Sequence, residues 1–133
     1  MEKFEPMLEL AGRILLAVVF IPAGFSKIGG YEATQGYMEA MGVPGSLLPL
    51  VIAFEIGGGL LFLVGYQTRI VAFALAGFCI LSAVIFHYQP TDQLQMLMFM
   101  KNIGLAGGFL MYVAKGGGLL SIDAKLKRRI IAA

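Results

Sequence analysis

Four apolar blocks, at about residues 8–26, 46–65, 69–88 and 95–114, constrain this chain more than any other feature. Each is close to the roughly 20 residues that a helix needs to cross a bilayer. Backbone amides in lipid must find their partners within their own segment, so such blocks become helices. The sequence therefore predicts an all-α fold: an integral membrane four-helix bundle over residues 1–133 as a single domain, with a basic tail at 115–133. Composition agrees, with 59% hydrophobic residues, 14% charged and a mean hydropathy of +0.84, far more apolar than a soluble domain. The opening "MEKFEPMLEL" mixes acids with one lysine and offers no small-residue cleavage site, so a cleaved signal peptide is not expected. The expected location is the cell inner (plasma) membrane, multi-pass, with the lipid bilayer as the surrounding partner.

Basic residues set the expected orientation. The tail holds Lys115, Lys125, Lys127, Arg128 and Arg129, whereas the loop "QPTDQLQ" holds none. By the positive-inside rule the tail is cytoplasmic, and four spans then put the N-terminus there too. Lys3, Arg13 and Arg69 fall near the same face, the two arginines as helix anchors or inner-face site candidates. The longer first loop contains "EATQGYMEAM", which fits one or two interfacial helical turns with Tyr37, Met38 and Met41 on the greasy side, acting either as a lid or as a connector. The lone Cys79 and lone His87 exclude a disulfide within the chain, a cysteine metal site and bis-histidine haem ligation. No metal site is expected. A net charge of +2, concentrated at one end, does not suggest nucleic acid.

Polar residues inside the spans are the candidate site. Glu55 falls roughly 13 Å, and Lys101 roughly 9 Å, below the outer ends of their helices. An unpaired ion near the bilayer centre costs on the order of 2.5–3.5 kcal/mol. The expectation is therefore a Lys101–Glu55 ion pair, with Asn102 hydrogen-bonded to a neighbouring helix or a backbone carbonyl. This pair either fixes helix register or serves chemistry. His87 is either a titrating group at the outer mouth or, with Tyr88, part of an interfacial aromatic belt. Lys27 either joins the polar cluster or snorkels to the headgroups.

Helical spacing gathers the small and charged residues into stripes. Arg13, Ala17, Phe20, Gly24 and Lys27 share one face of the first span; Glu55, Gly58, Gly59 and Phe62 share one face of the second; Ala76, Cys79 and Ala83 lead toward His87 in the third. In the fourth, Lys101, Gly104 and Gly108 are placed together on the same reasoning. Gly24, Gly58, Gly59, Gly104 and Gly108 are assigned to close helix packing, Gly104 and Gly108 either within the bundle or between chains of a homo-oligomer. A weak internal echo relates "EIGGGLLFLV" to "NIGLAGGFLM", consistent with two parallel helical hairpins.

Taken together, the Arg13 opening the first span, "AGFSKIGG", "YMEAMGVP", "FEIGGGLLFLVGYQTR", His87 and "FMKNIGLAGGFL" resemble the DoxX family of small four-helix inner-membrane proteins, over about residues 8 to 123. The family's name comes from a quinone-linked oxidoreductase acting on reduced sulfur, and some members are described as parts of membrane oxidoreductase complexes. The resemblance implies a quinone-associated subunit of such a system, with Lys101 or His87 donating to ring oxygens and Glu55 relaying protons. Quinone is the candidate cofactor, not covalently bound. A redox partner protein would have to bring the electrons, because the sequence has no flavin, haem or iron–sulfur motif. The competing expectation is a non-catalytic membrane scaffold or small-molecule carrier whose Glu/Lys/Asn cluster serves assembly or ligand passage.

Overall fold

A computed structural model describes all 133 residues, and all its regular structure is helical. The helices are α1 (Glu5–Gly29), α2 (Tyr31–Ala40), α3 (Leu48–Val64), α4 (Thr68–Ser82), α5 (Gln93–Lys115) and α6 (Ile122–Ala132). A π-helical turn, Ala83–His87, extends α4. Four segments are long and apolar enough to cross a membrane: Glu2–Gly29, Gly45–Val64, Thr68–His87 and Gln93–Lys115. Large apolar side chains such as Leu15, Ile70, Phe73 and Leu81 are exposed along them. That pattern suits a bundle whose outer surface meets lipid rather than water.

The tightest neighbours are α1 with α3, and α4 with α5; α3 also packs on α4. Aromatic rings from all four spans close the centre. Phe109 of α5 stands edge-on to Phe20 of α1 at 5.5 Å and to Phe62 of α3 at 5.0 Å, and Phe20 meets Phe78 of α4 at 6.1 Å. Such edge-to-face pairs add specificity to packing that area alone does not supply. Small residues Ala17, Ala72, Ala76, Cys79 and Ala106 fill the remaining core. Gly24 is buried against Ile56 and Glu55, and Gly59 against Ile21 and Phe20, so a Cβ at either would collide with the facing helix. These two glycines set the close approach of α1 and α3.

The first loop folds as α2. Its Met38 is buried, and Tyr37 stacks on Phe86 at 5.5 Å while donating from its hydroxyl to the Phe86 carbonyl at 3.3 Å. Gln35 Nε2 donates to the Gly45 carbonyl. The segment is thus a docked helix of ten residues, longer than one or two turns.

The opposite end is held by polar ties. Arg13 is 0% exposed and donates through Nη1 to the Leu63 carbonyl and through Nη2 to the Leu120 carbonyl. Here the α3–α4 turn needs two left-handed residues, Gly65 at φ 72° and Gln67 at φ 50°. A side chain at Gly65 would run into Ser121 and the Arg13 guanidinium. Gln67 does not cap α4 with its own side chain. Asp123 of α6 does so from outside, accepting from Gln67 N and Thr68 N at 2.8 Å and from Thr68 Oγ1 at 2.7 Å, while its own amide donates to the Gly65 carbonyl at 2.9 Å. The stretch read from sequence only as a basic tail is therefore an ordered helix, capped by Ser121 and stitched to the turn between α3 and α4.

Partial burial alone would raise the Asp123 carboxyl, but the hydrogen bonds from Thr68 and Gln67, helped by the Arg13 charge, leave it below the usual value. A lowered folded value means that this stabilisation is complete above the unfolded value, near pH 4, and is lost as pH falls through the folded one. Asp123→Ala should destabilise the detergent-solubilised protein by about 1–2 kcal/mol at neutral pH, the cost of orphaned amides and a lost cap. The difference in melting temperature between variant and wild type should shrink as the pH is lowered below about 4.

Candidate functional site

Glu55 is the most enclosed acid of the protein, 4% exposed on the face of α3 that meets α1. Its partner is Lys27, two residues before the end of α1. Lys27 Nζ lies 3.0 Å from both carboxylate oxygens, but only the approach to Oε1 has hydrogen-bond geometry, so Oε2 feels the charge and has no directed donor. Gly24 lies one turn before Lys27 on the same stripe, and the backbone approach it permits brings the lysine over the acid. The Lys27 side chain is 29% exposed, so the pair is open to its surroundings at the end of the bundle away from α6.

The expected Lys101–Glu55 pair does not form. Phe109 and Ala106 are the buried residues of α5. Lys101 lies roughly 80° and 140° around the helix from them, and it is exposed. Asn102, seven residues before Phe109, falls on the inward face and is half-buried; its Nδ2 donates to the Met98 carbonyl of its own helix at 3.0 Å. Gly104 likewise faces open space, whereas Gly108 meets Leu16 of α1. The aromatic Phe109, not the charge of Lys101, sets which face of the fourth span turns inward. Gly58 packs against Leu75 as a packing glycine should.

His87 closes the π turn, where its Nδ1 lies 2.8 Å from Gln95 Oε1 at the start of α5. The pair ties the two ends of the α4–α5 connection together. Tyr88 tilts against Phe99 at 5.5 Å. The two arginines expected at the inner face part company: Arg13 is the buried clamp described above, while Arg69 is exposed and donates from Nη1 to the Val113 carbonyl at 3.2 Å.

Sequence reasoning passed over Asp123, Thr68 and Tyr112. Tyr112 stands edge-on to Phe62 and donates to the Glu9 carbonyl at 2.7 Å, joining α5 to α1 beside Arg13. A signal for part of this was present, since "SID" ahead of an amphipathic run reads as a helix start. An open groove of about 730 Å3 also lies at this end, between the beginnings of α1 and α4, the end of α5 and α6. Glu55 is ten residues before Gly65, or roughly 15 Å along α3, so groove and ion pair are separate places.

An all-helical bundle with four membrane-spanning segments, an ion pair between the first two of them and a polar knot at one end defines the class: a small multi-pass integral membrane protein. The chain belongs to the DoxX family, whose model matches residues 8–88. It is 50% identical to inner membrane protein YqjF of Escherichia coli over 97% of this chain and 99% of that one. It is 33% identical to inner membrane protein YphA of the same organism, over 91% of each. A more distant relative, 29% identical over 71% of this chain and 73% of its own length, is the Bacillus subtilis protein named "Putative oxidoreductase CatD". No solved structure matches the chain. The protein is an inner-membrane protein of the multi-pass kind.

In a double-mutant cycle of Lys27→Met and Glu55→Gln, thermal unfolding in detergent should give a coupling of about 1–3 kcal/mol, as expected for a buried charge pair. The same cycle with Lys101→Met in place of Lys27→Met should give a coupling within about 0.5 kcal/mol of zero.

Proposed function

We propose that this protein is a quinone-associated component of an inner-membrane oxidoreductase system, and that Lys27 and Glu55 hold the quinone head. One observation carries the proposal. A carboxylate 4% exposed inside a membrane bundle keeps one oxygen, Oε2, with a cation at 3.0 Å and no donor aimed at it. Buried acceptors normally find a donor, and a ligand hydroxyl is of the right kind to supply one. Ionisable residues within a membrane commonly mark ligand or proton pathways. The relative named as an oxidoreductase lends further support.

A quinone couple, when bound, supplies two-electron, two-proton exchange. Lys27 is the residue suited to donate to a ring oxygen and to balance charge developing there. Glu55 Oε2 is suited to take a hydroxyl proton, with Lys27 holding the resulting charges in balance. A partner protein carries the electrons. This assigns to Lys27 the donor role that the sequence had offered to Lys101 or His87.

In the same reading both ends of the chain are cytoplasmic. Arg13, Arg69, Lys115 and the cations of α6 all gather at one end of the bundle, joined there by the Arg13 bond to Leu120 and the Arg69 bond to Val113. That clustering is the arrangement the positive-inside rule selects. The Lys27–Glu55 pair then lies in the outer half of the membrane.

A second reading rests on α5. Lys101 and Gly104 are both exposed on its lipid-facing side, and Gly104 has nothing within 4 Å of where a Cβ would stand. A cation and a glycine open to lipid suit a helix from a second subunit, and hence an assembly role.

Mass spectrometry of small molecules that co-purify in mild detergent separates the two. Quinone should be retained by wild type and by Lys101→Met, and be lost from Glu55→Gln and Lys27→Met. Bulk lipid alone in all four samples would overturn the quinone reading. Under the assembly reading, Gly104→Ile should shift the solubilised species to smaller mass on sedimentation; an unchanged mass would remove α5 as an interface.

A further inference from the structure

The groove at the α6 end takes no part in the proposed quinone site, and its walls are charged in opposite senses. Glu2, in the short turn before α1, and Glu5 and Glu9 of α1 line one side, and Arg69, Lys115 and Lys127 line the side contributed by α4, α5 and α6. The fourth acid of the lining, Asp123, is already engaged by Gln67 and Thr68. Only one ion pair spans the groove, Glu5 with Lys115 at 3.7 Å, and both side chains are more than half exposed. A pair of that kind holds its partners weakly and exchanges readily for a ligand.

The groove does not end in water. Glu5, Glu9, Lys115 and Gly116 also border a second cleft of about 300 Å3, which continues along α1 and α5. Its remaining lining is Leu8, Met111 and Tyr112. Leu8 is 61% and Met111 58% exposed, on helices that cross the membrane. A polar basin thus leads directly into an apolar cleft on the lipid-facing flank. Its shape is that of an amphiphile lying with its head in the basin and a chain against α1 and α5.

We propose that this groove and cleft form a binding site for a zwitterionic aminophospholipid, a lipid whose headgroup carries a phosphate and a primary ammonium. The phosphate falls to Arg69, Lys115 and Lys127, of which arginine offers the bidentate geometry that phosphate favours. The ammonium falls to Glu2, Glu5 and Glu9, whose carboxylates accept its N–H groups. Charge decides among the common headgroups. A purely anionic head would set three carboxylates against its own charge. A quaternary ammonium donates no hydrogen bonds and is best held over aromatic faces, and no aromatic ring lines the groove. Only a head with both a phosphate and N–H donors satisfies both walls.

The test is native mass spectrometry of the full chain in micelles doped with equal amounts of dioleoyl phosphatidylethanolamine, phosphatidylcholine and phosphatidylglycerol. The phosphatidylethanolamine adduct should dominate for wild type. In the double variant Glu2→Gln, Glu5→Gln, its advantage over phosphatidylcholine should fall by about three- to tenfold, the size of one or two part-exposed ion pairs. Circular dichroism melting serves as the control for folding, and if the variant fails to fold, the wild-type order of the three lipids still decides. Equal occupancy by the three lipids, or an order led by phosphatidylglycerol, would overturn the proposal. Full displacement of the phosphatidylethanolamine adduct by millimolar water-soluble phosphoethanolamine would reassign the groove to a soluble zwitterion and overturn the lipid assignment.

Discussion

A guanidinium with no contact with solvent governs the α6 end of this bundle. Removing an unpaired charge from water would cost several kcal/mol, so Arg13 can be enclosed only where carbonyls and acids converge on it. The structure meets that demand with the end of α3 and the approach to α6, whose carbonyls at Leu63 and Leu120 both receive its protons. Segments distant in sequence must therefore meet around one side chain. The left-handed Gly65, the Tyr112 bond to Glu9 and the Asp123 cap on α4 are arranged around the same point. Its Nε has no partner, so even this clamp is incompletely satisfied.

The half of the bundle away from α6 solves the same electrostatic problem with less redundancy. Glu55 has one cation and no backbone donors, and that cation arrives on a flexible stem from near a helix end. Where Arg13 is fixed from two directions, Glu55 depends on a partner that can move. A charge pair held in this way suits a place where a ligand or proton is exchanged, whereas the arginine clamp suits a joint. The bundle thus sets a firmly held charge and a loosely held one at different places along its axis, with the aromatic cluster of Phe20, Phe62 and Phe109 between them.

The number of spans and the inward faces of the first three were legible because hydrophobic length and 3.6-residue periodicity are local properties. Arg13, Ala17, Phe20 and Gly24 are the buried residues of α1, as their spacing indicated. Charge economy alone points the fourth span inward at Lys101, but the packing of Ala106 and Phe109 outranks it. That Lys27 and not Lys101 meets the charge of Glu55 depends on which helices adjoin, a fact carried by Gly24 and Gly59 at the α1–α3 contact. The cap on α4 was illegible for a related reason. It joins residues 55 positions apart, and no local pattern in "GYQTR" says which distant carboxylate will serve it.

That cap also orders events in time. The chain is made from its N-terminus, so α4 enters the membrane while its first amides, at Gln67 and Thr68, still lack the acceptor that α6 will bring. Until α5 has inserted and α6 has emerged, the turn between α3 and α4 must borrow water or headgroup oxygens. Completion of the knot at the α6 end is therefore a late step of biogenesis, and a nascent chain halted before Asp123 would present a bundle of four inserted helices with one end unlatched.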